Sequence, residues 1–208
     1  MILLRATNLA AAYEGRRIFA GIDLNLGAGA YALVGPNGSG KSTLLRLLAG
    51  GQLPSAGSVA IAGYDLARSP LPARRALSYV PDDMPAYPFM TGREFLSFVA
   101  SAKAVSLGVT VEALIDVFAL AQHLDQRVGA ISLGTQKKLL LAAGWIGQPQ
   151  LLLLDEPSNA LDAIARDALI ERIRQDRAHA VILFASHDAE FIEATGATTI
   201  AMPALLAA

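Results

Sequence analysis

Tyr31-Ala32-Leu33-Val34-Gly35-Pro36-Asn37-Gly38-Ser39-Gly40-Lys41-Ser42-Thr43-Leu44-Leu45-Arg46-Leu47-Leu48 carries the reading of this chain. An apolar run enters a glycine-rich loop, and the loop opens into leucines at helical spacing. The loop fits GxxxxGK followed by Ser or Thr, set between a strand and a helix, and each part has a physical reason. Gly35, Gly38 and Gly40 lack a Cβ, so the backbone reaches angles closed to other residues and turns successive N–H groups into one anion-binding hollow. The helix opening near Lys41 adds its positive dipole end and its unpaired N–H groups. Lys41 brings a mobile charge for the β- and γ-phosphates of a nucleotide, and the Ser42 hydroxyl brings an oxygen for Mg²⁺. Pro36, Asn37, Ser39 and Thr43 complete the cradle. A turn that only caps a helix is the alternative, but it has no need of Gly-Lys-Ser in that order.

The whole chain of 208 residues is 53% hydrophobic and 17% charged, which is enough for a sizeable core in one domain; no linker is evident. Cysteine count is 0, which excludes disulfides and cysteine-ligated metal and fits a reducing compartment. Net charge is -1 with no lysine- or arginine-rich run, so the footprint of a nonspecific nucleic-acid binder is missing and nucleic acid is not expected as a partner. Mean hydropathy is +0.43, yet no apolar stretch reaches the roughly 18 to 20 residues that cross a bilayer. Arg5 and Asn8 interrupt the apolar Met1-Ile2-Leu3-Leu4, which reads as neither signal peptide nor anchor. The surplus apolar surface is expected to meet another protein.

Ile2 to Asn8, Ile18 to Leu26 and Ser58 to Ile61, broken by Gly15, Gly21, Gly27 and Gly63, read as a hairpin-like N-terminal sheet. Tyr31 to Val34, Ser78 to Val80, Leu151 to Leu154, Val181 to Ala185 and Thr198 to Met202 are short, almost continuous apolar runs, the pattern of parallel strands buried on both faces. Helical spacing occupies Lys41 to Ala49, Gly134 to Ile146, Ala163 to Arg174 and Asp188 to Ala194, giving the alternation of an α/β fold. Residues 91–120 hold no strand candidate. Thr91 and Glu94 form a capping box ahead of Phe95, Phe98 and Val99 on one helical face, and a second helix spans about Val111 to Leu120, so a helical insert is expected over residues 91–130.

Leu151-Leu152-Leu153-Leu154-Asp155-Glu156 is a buried strand ending in two carboxylates, at the edge where open α/β sheets bind ligands. Asp155 there suits Mg²⁺, from outside the ion's direct ligands or through water, and Glu156 one step further suits a general base acting on water in line with a γ-phosphate. Two acids facing solvent before the Pro157 turn are the alternative.

Taken in order, Gly35 to Thr43, Ile131-Ser132-Leu133-Gly134-Thr135, Leu151 to Glu156, Ser158-Asn159-Ala160-Leu161-Asp162 and Ser186-His187 resemble the nucleotide-binding domain of ATP-binding cassette (ABC) proteins, over nearly the whole chain. In that family these are the Walker A loop, the signature, the Walker B strand, the D-loop and the switch histidine. The resemblance implies a P-loop NTPase core with a mostly parallel sheet, an antiparallel N-terminal β subdomain and a small helical subdomain, in one ATP-binding domain over residues 1–208. Tyr13 matches the aromatic residue that stacks on adenine, though a strand tyrosine fits that position nearly as well. His187 would meet the γ-phosphate and Glu156; a helix-start histidine bonded to a backbone carbonyl is the other reading. Asp162 reads equally as a helix cap and as a D-loop residue. His123 and His179 read as surface residues, and Trp145 as core.

Two departures stand out. The family's LSGGQ is Ile131 to Thr135 here and keeps Ser132 and Gly134, the positions whose hydroxyl and amide would contact phosphate. Asp82, in Tyr79-Val80-Pro81-Asp82, stands where most members carry a glutamine that touches Mg²⁺ and the transmembrane subunit; its carboxylate could serve the ion through water or repel phosphate.

The resemblance further implies ATP hydrolysis in a head-to-tail homodimer or cassette heterodimer, with Ser132 and Gly134 of one subunit completing the site around Lys41 of the other. It implies a separately encoded transmembrane permease as partner, with the chain cytoplasmic and peripheral on the inner face of the cell membrane. Met84, Tyr87 and Phe89 would receive that partner, and the Asp82 loop and Ser132-Leu133-Gly134 lean towards export. A soluble ATPase acting on ribosomes or DNA, and a regulatory module without turnover, are the alternatives. No regulatory domain is expected beyond the Thr198 to Met202 strand.

Overall fold

The computed structural model describes residues 1–13, 16–83 and 87–202. Strands β1 (Ile2–Tyr13), β2 (Arg16–Gly27) and β3 (Gly29–Val34) precede α1 (Lys41–Leu48). Next come β4 (Ala56–Ile61), β5 (Tyr64–Asp65), α2 (Pro70–Arg75) and β6 (Leu77–Val80). Helices α3 (Gly92–Lys103), α4 (Val109–Val117) and α5 (Leu133–Gly144) follow, and then β7 (Leu151–Asp155), α6 (Ala163–Asp176), β8 (Val181–Ala185), α7 (Ala189–Thr195) and β9 (Thr198–Ala201). One sheet has the order β2-β1-β4-β5 and is antiparallel. The other, β6-β7-β8-β3-β9, is parallel throughout.

Strands β7 and β8 are buried on both faces, and their residues divide between them with period two, whereas β9, expected to be buried likewise, is an edge strand with Thr198, Thr199 and Ala201 exposed. Leu152, Leu154, Ile182 and Phe184 join the core under α3 to α7. Leu151, Leu153, Val181 and Leu183 join the second core, shared with α1, β1 and β2. Each fully buried leucine contributes about 1.5 to 3 kcal/mol relative to exposure, which is why these strands read as unbroken apolar runs. All five parallel strands therefore deliver their C-terminal ends to one edge, where the loops after β3, β6, β7 and β8 meet.

Several boundaries moved for local reasons. Asn8 was expected to end β1, but it takes φ 47 in a bulge, its N–H donates to Asp23 Oδ1 at 2.9 Å, and pairing with β2 resumes at Leu9. The capping box at Thr91 is present on α3, but the buried side chains of that helix are Phe95, Leu96 and Ala100, whereas Phe98 is 45% exposed. Helix α4 runs over Val109–Val117, earlier than the expected Val111 to Leu120. Elements β5 and α2 were not anticipated; a two-residue strand and a proline-rich six-residue helix leave little periodic signal.

Candidate active site

The loop between β3 and α1 takes its shape from two left-handed glycines. Gly38 has φ 80 and Gly40 φ 95, angles a Cβ disfavours, and a Cβ on Gly40 would also stand 3.2 Å from Ile18 Cγ2. Gly40 is the N-cap of α1. Lys41, 7% exposed, folds back so that its Nζ donates to Gly35 O at 2.8 Å and Pro36 O at 3.3 Å. The ammonium is thus held across the mouth of the hollow made by the loop. Asn37, Gly38, Gly40, Lys41, Ser42 and Thr43 line a cleft of about 740 Å³, closed on other sides by Arg17, Ile18 and Glu156. Gly35 and Pro36 serve the loop through their carbonyls, and Ser39 Oγ is buried without a hydrogen-bond partner.

The second acid cluster meets the loop. Ser42 Oγ donates to Asp155 Oδ1 at 3.1 Å, tying α1 to the end of β7 across 113 residues of chain. Burial pushes the Asp155 carboxyl above the ordinary carboxylate value, the Ser42 hydrogen bond draws it down, and the Asp82 and Glu156 charges push it up again. A carboxylate in that setting favours a positive partner, and a hydroxyl beside it completes an oxygen pair of the kind Mg²⁺ takes alongside water and phosphate. The site residues fit that ion.

Glu156 follows with φ 43, a left-handed angle that non-glycine residues seldom adopt; its N–H donates to Ala185 O at 3.0 Å. This turn swings the side chain out of the sheet and into the cleft. Its Oε2 is buried without a hydrogen bond, although His187 Nδ1 lies 3.0 Å away, off the line such a bond requires. His187 itself is exposed, and the cap of α7 is Asp188, which accepts from Phe191 N at 2.9 Å, so the histidine faces the glutamate and leaves the capping to its neighbour.

Asp82, expected either to serve the ion through water or to repel phosphate, is held by two side chains of the protein. Its Oδ1 accepts from Lys137 Nζ at 3.2 Å, and Asn159 Nδ2 approaches its two oxygens at 3.2 and 3.4 Å. Ser132 is the N-cap of α5: its Oγ accepts from Thr135 N at 3.2 Å, while Gly134 sits in the first turn, where a Cβ would come within 2.7 Å of Ala160 O. Asp162 caps α6 through Ala165 N at 2.9 Å and pairs with Lys138. Trp145 is core, its indole N–H donating to the buried Asp176. His179 is exposed beside Asp176, but His123, expected at the surface, is half-buried with its Nδ1 enclosed. The Tyr13 side chain and Met84 lie outside the described residues. Sequence reasoning missed Lys137 and Arg17, and quoted Asn159 only as part of the D-loop without its contact to Asp82; the available signal for Lys137 was a lysine at helical spacing with Leu140, Leu141 and Gly144, on the buried face of α5.

With this geometry in place, comparison with known proteins is decisive: the family model for ABC transporters matches residues 19–159, from β2 to the loop after β7. The chain belongs to the ABC transporter family. A solved relative titled as the ATP-binding subunit of an ABC transporter superimposes with TM-score 0.86 at 30% identity, covering 92% of this chain and 82% of its own. Its fold is therefore the α/β P-loop fold of the ABC ATP-binding domain. The chain is 26% identical over 196 residues to the linearmycin resistance ATP-binding protein LnrL of Bacillus subtilis, covering 92% of this chain. It is 35% identical over 162 residues to the sulfate/thiosulfate import ATP-binding protein CysA of Mycobacterium bovis, covering 76% of this chain. It spans 63% of the length of the first relative and 46% of the second. Among the described residues of this ABC chain, no helix is long and apolar enough to cross a membrane.

Proposed function

We propose that the chain is the ATP-binding subunit of an ABC transporter, hydrolysing ATP between two head-to-tail copies or cassettes to drive a separately encoded membrane subunit. One observation supports this most: Lys41 and Ser42 share a single cleft with a buried, unbonded carboxylate oxygen of Glu156. A phosphate-binding loop alone would serve a binding module, whereas an idle base aimed into that loop suits hydrolysis. In this reading residues 1–208 form one ATP-binding domain, and residues 91–130 its helical insert.

ATP enters with its triphosphate on the loop of Gly35, Pro36, Asn37, Gly38, Ser39 and Gly40, and Lys41 exchanges its two carbonyl partners for phosphate oxygens. Tyr13 stacks on the adenine. Ser42 and Asp155 would hold Mg²⁺, and Asp82 would add its charge; the ion would offset negative charge on the phosphates. Thr43 extends the helix start behind Ser42. Glu156 orients a water and takes its proton as the oxygen attacks the γ-phosphorus in line, while the bond from that phosphorus to the β–γ bridging oxygen breaks and ADP leaves, giving inorganic phosphate. His187 steadies the Glu156 carboxylate and faces the γ-phosphate.

Ser132 and Gly134, at the positive end of α5, serve the ATP of the partner copy. Driving a pair from nearly all open to nearly all closed takes a differential binding energy of about 5.5 kcal/mol. Two to four charge-assisted hydrogen bonds to phosphate, at about 1.5 to 3 kcal/mol each, supply it. The membrane subunit docks beside the Asp82 loop and the aromatic group of Tyr87, Phe89 and Phe98, of which Phe89 is 65% exposed. That contact places the chain at the inner face of the membrane.

The test is titration of the purified chain with a fluorescent ATP analogue and Mg²⁺, followed by a phosphate-release assay, beside Lys41→Met. The native chain binds and turns over, and the variant loses at least tenfold in affinity. A native chain that ignores millimolar Mg·ATP would overturn the proposal.

A further inference from the structure

Helix α5 carries a buried cation that neither the phosphate loop nor the base uses. Lys137 is 4% exposed, and its ammonium reaches acceptors on two neighbouring parallel strands. At the end of β6 these are Pro81 O at 3.4 Å, Asp82 O at 3.1 Å and Asp82 Oδ1 at 3.2 Å. At the end of β7 it is Asp155 O at 3.1 Å. Asp82 is also held by Asn159 Nδ2, and Asn159 N donates to Glu156 O at 3.2 Å. One ammonium therefore sits where the loop after β6, the last residue of β7 and the turn after Glu156 converge.

An unpaired ammonium is strongly disfavoured in such a place, and Asp82 supplies the opposite charge. An apolar side chain of similar length would fill the space with no charge to desolvate, but it could not grip carbonyls on two strands at once. The feature that a lysine adds here is therefore geometric: the backbone of Asp155 is clamped on one side by Lys137, while its carboxylate meets Ser42 on the other at 3.1 Å.

We propose that Lys137, charge-paired with Asp82, is a positioning residue that holds Asp155 in register with Ser42 for Mg²⁺. The proposal rests on the assignment of Ser42 and Asp155 as ligands of that ion. Two effects of removing Lys137 have opposite signs. Loss of a nearby positive charge would tighten Mg²⁺, whereas loss of the clamp would weaken it, and hydrogen-bonding partners of metal ligands are worth roughly 10- to 100-fold in metal affinity.

The experiment measures binding, not turnover. Affinity for a fluorescent ATP analogue is followed as Mg²⁺ is titrated, and again in EDTA, for the full native chain, Lys137→Met, Asp82→Asn and the double variant Lys137→Met with Asp82→Asn. Expected is about a tenfold rise in the Mg²⁺ concentration giving the half-maximal effect in Lys137→Met over the native chain and in the double variant over Asp82→Asn, with affinity in EDTA unchanged within about twofold in each comparison. A requirement for Mg²⁺ that fails to rise in either comparison, while Asp155→Asn abolishes it, overturns the positioning role alone. Equal losses in EDTA and in Mg²⁺, together with a lowered melting temperature, also overturn it by making Lys137 merely structural. A native chain whose nucleotide binding ignores Mg²⁺ overturns the ligand assignment itself, and the positioning role with it.

Discussion

Replacing Glu156 by glutamine tests the proposed chemistry with the least disturbance of the fold. The side chains are nearly isosteric, the backbone N–H bond to Ala185 O is untouched, and the left-handed φ of 43 is no harder for glutamine than for glutamate. The melting temperature should therefore barely move. Lys41, Ser42 and the loop N–H groups remain, and one negative charge beside the phosphates is gone, so ATP affinity should hold or rise. What disappears is the ability of the buried Oε2 to accept a proton. A positioned general base contributes about 100- to 10,000-fold, equivalent to roughly 3 to 5 kcal/mol in the barrier. Phosphate release at saturating Mg·ATP should fall by that factor, and light scattering should find the variant as an ATP-held dimer. Turnover within threefold of native would refute the assignment of Glu156 as the base.

A methyl on Gly144 would stand 2.6 Å from Val80 Cγ2 and 3.4 Å from Leu152 Cδ1, so Gly144→Ala should force α5 away from β6. Such overpacking costs about 1 to 3 kcal/mol, a fall of roughly 2 to 12 °C in melting temperature for a chain of this size, read by calorimetry; an unchanged value would mean α5 can slide freely. Lys103, on α3, donates to Ser78 Oγ and Ile146 O, and burial lowers its pKa from the ordinary 10.5 to about 8. Between those pH values the unfolded chain holds the proton and the native chain does not, so native stability should climb relative to Lys103→Met from about pH 8 to 10.5, by at most roughly 3 kcal/mol. A flat difference in urea-melting free energies over that range would refute the burial of the charge.

Legibility followed the range of the interactions. The loop proposed to hold phosphate is written in contiguous residues because its shape is set by left-handed glycines and one helix start, all specified within a dozen positions. The strand that brings Glu156 to the cleft was equally plain, since a run of leucines ending in two acids is a local signal. Asn8 misled because a turn-forming residue can also sit in a bulge when a long partner strand carries the pairing past it. Phe98 misled because its aromatic character suggested burial, yet α3 turns Leu96 to the core instead and leaves Phe98 beside Tyr87.

By itself the amino-acid order determined the parallel α/β core, the anion hollow and the identity of the acids, since burial on both faces of a strand and the geometry of a loop are imposed by near neighbours. Only the tertiary structure decided that Lys137 lies under Asp82 and Asp155 and that Asn159 stands against Asp82; His187 beside Glu156 was expected from the family resemblance alone. Those pairs join residues from 18 to 77 positions apart, and which of many charged residues meet is set by the packing of strands and helices, for which no local pattern encodes a partner.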